Sequence, residues 1–166
     1  MTVPHDALAV GKLIAAAFDA APDAAADHVT RFQLRNSEVT GVRDNDGVDI
    51  YGGPTGSRDT LIQDNWIHGV RVSASSCQHT DGVQVAGTSG PGNTGTIIRG
   101  NRIEDIDQNA DIQLDTAKGQ VGTNETIDAN TLGQVNYTPT SCVPSPTPRS
   151  LNVSGNNITV TGNRWS

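Results

Sequence analysis

The chain is expected to be all-β, a single parallel β-helix in which a short strand-and-turn unit winds repeatedly and stacks on itself. One observation is a phrase that returns four times: an apolar residue, two variable residues, an asparagine, one more residue, then an apolar residue. The copies are Ile62 to Ile67, Ile98 to Ile103, Ile127 to Leu132 and Val160 to Trp165, with Asn65, Asn101, Asn130 and Asn163 in the shared slot. A fainter copy, Leu34 to Val39, carries Ser37 there. The second observation is an interleaved strand signal: Asp46-Gly47-Val48-Asp49-Ile50, Asp81-Gly82-Val83-Gln84-Val85, Asp111-Ile112-Gln113-Leu114 and Ser150-Leu151-Asn152-Val153. Its apolar and polar residues alternate with period two, as in strands with one face buried. Self-similarity at this spacing marks a solenoid, whose repeats bury their apolar residues only against one another.

Taken in order, residues 1–30 differ from the rest. Asp6 suits a helix N-cap, and Leu13, Ile14, Ala17 and Phe18 would share one apolar side until Pro22 ends it. This segment is expected to be a helical cap over the first open coil. A leader peptide is the competing reading, disfavoured by a start that lacks Lys and Arg and by Lys12 within the apolar stretch. Residues 31–166 are expected to form the β-helix, in four to five coils. The asparagines at 65, 101, 130 and 163 lie 36, 29 and 33 residues apart, which a β-coil absorbs in its loops. Loops are expected over 70–80, 86–95 and 133–149, the last stiffened by Pro139, Pro144, Pro146 and Pro148. That last loop reads either as a surface crossover or as a groove wall. A leucine-rich horseshoe also places asparagine near an apolar residue, but leucine is scarce here and the second strand phrase has no counterpart in it.

Composition sets limits. Hydrophobic residues are 34% and aromatics 4% of 166 residues, enough for a narrow column of Val, Ile and Leu. A net charge of −7 argues against nucleic acid as a partner. No apolar run reaches the length of a membrane span. Cys77 and Cys142 fall in loops entering coils two levels apart, and either form a bridge, implying an oxidising compartment, or stay free. The open coil ends leave oligomerisation through strand edges available. The chain stops at Ser166 directly after a strand phrase, so it is expected either to be a fragment of a longer rod or to pair its terminus with a partner.

These interleaved strands, stacked asparagines and Asp-Gly-Val openings resemble right-handed parallel β-helix proteins of the pectin-lyase-like superfamily. The resemblance implies a right-handed coil and an extracellular or cell-surface protein that processes a polysaccharide, as lyase or glycoside hydrolase. Asn45-Asp46-Gly47 and His79-Thr80-Asp81-Gly82 also look like the Asn-Thr-Asp-Gly signature of polygalacturonase-type hydrolases, which would make Asp46 or Asp81 catalytic. The paired aspartates, Gly-His-Gly and Arg-Ile-Lys elements of that family do not occur here.

The residues themselves point to the same face. Asp49, Gln84, Gln113 and Asn152 should form one outward column, with Tyr51 and Asp115 in the next. Asp49, Tyr51, Gln84 and Gln113 are the candidate substrate contacts. Asp81, His79, Arg71, Asp46 and Asp115 are the candidate catalytic residues. Glycosidic hydrolysis needs two carboxyls about 5–9.5 Å apart, a span that acidic groups one or two coils apart cover. Elimination from a uronic acid polymer needs a base and a cation, roles open to His79 and Arg71, or to a Ca²⁺ ion held by aspartate oxygens. No calcium-loop motif is present, so no metal ligand set is assigned. A non-catalytic β-helix, as an adhesin or structural module, is the alternative. The asparagine column is read as structural, since buried amides must be hydrogen-bonded. Ice binding fits poorly, because the outward column carries Asp and Gln rather than repeated threonines.

Overall fold

The computed structural model describes residues 13–14, 31–51, 56–86, 92–114 and 122–166. In chain order the strands are β1 (Leu13–Ile14), β2 (Gln33–Arg35), β3 (Glu38–Val39), β4 (Val48–Tyr51), β5 (Leu61–Gln63), β6 (Trp66–Val70), β7 (Asp81–Ala86), β8 (Ile97–Arg99) and β9 (Arg102–Ile106). They continue as β10 (Ala110–Leu114), β11 (Gly122–Thr123), β12 (Thr126–Asp128), β13 (Thr131–Leu132), β14 (Arg149–Val153), β15 (Gly155–Asn156), β16 (Thr159–Thr161) and β17 (Arg164–Trp165). They pair in parallel into three five-stranded sheets, β2-β5-β8-β12-β16, β3-β6-β9-β13-β17 and β1-β4-β7-β10-β14, plus the short pair β11-β15. The result is the expected β-solenoid: each sheet takes one strand from each successive level.

Register turns sequence repeats into vertical columns. Leu34, Ile62, Ile98, Ile127 and Val160 align on the first sheet. Val39, Ile67, Ile103, Leu132 and Trp165 align on the second. Val48, Val83, Ile112 and Leu151 align on the third. The middle members are fully buried, and full burial of a Val, Leu or Ile side chain is worth about 1.5–3 kcal/mol. At the last level Val160 and Trp165 are exposed, because no described strand stacks on β16 or β17.

Two expectations are corrected. No helix occurs among the described residues, and Leu13–Ile14, assigned to the capping helix, instead pairs as strand β1 with Val48 and Asp49. Two extended residues can satisfy the open backbone edge of β4, which a helix cannot do. Asp6, Ala17, Phe18 and Pro22 lie outside the described residues. The coil count is also lower than the four to five expected. Strands flanked on both sides number about three turns, β4-β5-β6, β7-β8-β9 and β10-β12-β13, while the outermost strands have a neighbour on one side only. No described helix is long and apolar enough to cross a membrane.

The corner before each asparagine explains the spacing of the repeat. Asn36, Asp64, Gly100, Ala129 and Gly162 all have positive φ, between 49° and 64°. This left-handed residue turns the chain from the first sheet to the second, and the next residue delivers the asparagine. Asn65, Asn101 and Asn130 are buried in one file, each Nδ2 donating 2.9 Å to the next Oδ1, the last to Asn163. The same Oδ1 atoms accept the backbone N–H of the preceding level at 2.9–3.0 Å, as from Ser37 to Asn65 and from Asn65 to Asn101. Each Nδ2 also donates to a backbone carbonyl, Leu34, Ile62, Ile98 or Ile127. Every side-chain hydrogen-bonding atom of Asn65, Asn101 and Asn130 is therefore occupied, as the structural reading requires.

Candidate functional site

The site is built where the chain enters the third sheet. Asp46, Asp81, Ala110 and Arg149 share one column, and Gly47, Gly82, Asp111 and Ser150 the next. Neither glycine of the two Asp-Gly pairs has positive φ. They are needed for space: a Cβ on Gly82 would lie 2.5 Å from Ile103 Cγ2 and 2.6 Å from the Asp111 carbonyl oxygen, and one on Gly47 2.6 Å from the Gly82 oxygen. Omitting those side chains lets neighbouring levels close up and brings their aspartates together.

Asp46 Oδ1 accepts the backbone N–H of Asp81 at 2.7 Å. Asp81 Oδ1 accepts from Asn109 Nδ2 at 2.8 Å, while Oδ2 faces His79 Nε2 at 3.5 Å. His79 Nε2 also lies 2.9 Å from Gln84 Oε1. One donor atom from each of Asp46, His79 and Asp81 lies within 4.8 Å of the others. The Asp81 side chain is 0% exposed and that of His79 49%, so the imidazole is the face of the cluster that solvent meets. Burial, and then the charge of Asp46, push the Asp81 carboxyl well above the usual carboxylate range, against the hydrogen bond from Asn109.

The outward column falls where expected in register but is not an open face. Asp49, Gln84 and Gln113 are each under a tenth exposed. Gln113 Nε2 donates to Gln84 Oε1 at 2.7 Å, and Asn152 Nδ2 and Asn109 Nδ2 donate to Gln113 Oε1 at 3.0 and 2.8 Å. A ligand reaching these amides would have to break that ladder. Tyr51 stands in β4 beside Ala86, as expected from register.

The remaining candidates divide. Arg71 points to a different corner, bound to the carboxylate and carbonyl of Asp105 and lying 3.8 Å from Asp107. Its hydrogen bond holds the Asp105 carboxyl below its ordinary range. No described bond joins Arg71 to Asp81. Asp115 lies outside the described residues.

The loop carrying His79 is pinned. Cys77 is disulfide-bonded to Cys142 with the Cα atoms 5.0 Å apart, and Ser141 N–H donates to the Ala74 carbonyl at 2.8 Å. The 133–148 segment is thus a crossover that folds along the rod to the loop two levels away, passing the short turn at Asp107–Asn109. From the other side, Asp44 accepts from the Ser73 N–H and hydroxyl at 2.6 and 2.7 Å.

Two residues that matter were not singled out from the sequence. Asn109 links Asp81 to Gln113 and sits level with Thr80, as alignment of Ala110 with Asp81 would have indicated. Asp111 takes the slot filled by Gly82 one level earlier, so its carboxyl points into the packed corner. It is 0% exposed with neither oxygen hydrogen-bonded. Burial raises it to about 8, tempered by the neighbouring Ser150 hydroxyl. Comparison with known proteins finds no matching family model, curated protein or solved structure.

Proposed function

We propose that this protein processes a polysaccharide, as lyase or glycoside hydrolase, at the His79 edge of the third sheet. The observation that carries the reading is the convergence of Asp46, His79 and Asp81 within 4.8 Å. Two carboxyls in one dry pocket do not both ionise easily, and burial together with the charge of Asp46 raises the Asp81 carboxyl well above its ordinary range. The half-exposed His79 is the group a glycan would touch. In elimination its imidazole would take the proton next to a uronate carboxylate, and in hydrolysis it would exchange a proton with the glycosidic oxygen while Asp81 stabilises its charged form. The disulfide supports an extracellular or cell-surface setting.

The test is an assay for new reducing ends and for unsaturated products over polyuronates and neutral glycans. Turnover should fall at least a hundredfold in His79→Ala and in Asp81→Asn. Turnover equal to wild type in both variants would remove the site. A second reading, a non-catalytic glycan-binding, adhesin or structural β-solenoid, is favoured by the burial of Asp49, Gln84 and Gln113 and by the hydrogen bond that ties Gln113 to Gln84. Glycan binding without product formation would select it.

A further inference from the structure

We infer that Asp46, Asp81 and His79 form a binding site for a divalent transition ion of the zinc class. Ligand atoms around such an ion, each about 2.0–2.2 Å from it, lie roughly 3.3–3.6 Å apart. The His79 Nε2 to Asp81 Oδ2 separation is already 3.5 Å, and the whole donor set falls within 4.8 Å. The ion would take the place of the proton on His79 Nε2, which otherwise faces Gln84 Oε1 at 2.9 Å.

A second observation points to an ion rather than to a hydrogen-bonded network. Asp81 Oδ2 is buried and accepts no hydrogen bond, although it is aimed at the imidazole nitrogen. A buried carboxylate oxygen with no donor is costly, and a cation between it and His79 would remove that cost. The surroundings are those of a supported ligand set. Asn109 Nδ2 fixes Asp81 Oδ1, the Asp81 N–H fixes Asp46 Oδ1, and the Cys77–Cys142 bridge anchors the loop two residues before His79.

Donor type and number choose the ion. One imidazole and two carboxylates match the preferences of zinc and its neighbours, whereas calcium takes six to eight oxygens. Two carboxylates balance the double charge. The exposed side of His79 leaves room for a further ligand from solvent, as in sites with an open coordination position.

Binding is measured without any glycan, so its outcome is separate from that of the polysaccharide reading. The full chain, treated with chelator and dialysed, is titrated calorimetrically with Zn²⁺, Mn²⁺ and Ca²⁺ in turn. One saturable Zn²⁺ site is expected, weakened at least tenfold in His79→Ala and in Asp46→Asn and unchanged in His68→Ala. Affinity should rise at least tenfold from pH 5.5 to 7.5, because the ion displaces protons from its ligands. His79 is exposed, so its variant keeps the test valid if an aspartate variant fails to fold. Absence of saturable Zn²⁺ binding, wild-type affinity in His79→Ala, or tighter binding of Ca²⁺ than Zn²⁺ would each overturn the inference.

Discussion

Two polar columns run along the rod, and they are built on opposite terms. The asparagine column repeats one residue at four levels, and each amide closes the same hydrogen bonds to its neighbours. The column at the entry to the third sheet carries Asp46 and Asp81 at two levels and then changes to Ala110 and Arg149, and it gathers carboxyls that burial opposes. Identical residues at identical positions serve stacking, because every level then supplies what the next one needs. Where the residue changes while the backbone repeats, stacking does not explain the choice.

The comparison can be broken most forcefully inside the asparagine column. Asn101→Ala removes the acceptor for the Asn65 N–H and the donor to the Ile62 carbonyl, both buried. Two orphaned backbone groups at about 1–3 kcal/mol each give a loss of roughly 2–6 kcal/mol, measured by denaturant unfolding. Asn163→Ala, at a half-exposed position, should cost about 1–2 kcal/mol. Equal losses at the two positions would contradict a role that depends on burial.

The next largest effect belongs to the loop clasp. Reducing the Cys77–Cys142 bridge, which closes 65 residues of sequence, should lower stability by about 2–4 kcal/mol. It should also weaken Zn²⁺ binding, since the His79 loop is released. Calorimetry with and without reductant reads both.

A pH-dependent effect separates Asp111 from the carboxylates that carry partners. Its folded value of about 8 stands above the ordinary unfolded value of about 3.9. Between these, the folded chain keeps a proton that the unfolded chain has lost. Stability therefore falls as pH rises from about 4 to about 8, by up to about 1.4 kcal/mol per unit from this group, and then levels. Asp44 and Asp105, held below their ordinary range by Ser73 and Arg71, act oppositely and lose their contribution only at acid pH. Asp111→Asn should flatten the decline between pH 5 and 8 in a series of unfolding curves.

The smallest change sharpens the reading of the corner. Ala129 holds φ of 54° where Gly100 and Gly162 serve at neighbouring levels. Ala129→Gly should raise stability by about 1 kcal/mol, the left-handed penalty less the added chain entropy.

Much of this architecture is legible in the residues. Asn65, Asn101 and Asn130 announce their own register, and Val48 with Ile50 or Val83 with Val85 announce the third sheet by alternation. The coil ends were less legible: Leu13 and Ile14 read equally well as one side of a helix, and only the open edge of β4 selects the strand. Within the site, Asp46, His79 and Asp81 could be grouped because column position follows from the repeat. Arg71 could not be placed, since its partners Asp105 and Asp107 lie one level away in a corner without repeated phrasing. Asp111 was hidden because an aspartate before a strand reads as a turn residue, whereas here it occupies a glycine slot facing the packed corner.

The contrast between the two columns is tested most directly by unfolding Asn101→Ala and Asp81→Asn side by side at neutral pH in the presence of chelator. The asparagine variant should lose several kcal/mol, roughly 2–6, through its orphaned backbone groups. The aspartate variant keeps the shape of a side chain whose Oδ2 accepts no hydrogen bond, so its stability should match or exceed wild type. A loss in Asp81→Asn as large as that in Asn101→Ala would show that the acidic column is part of the scaffold and not a site carried by it.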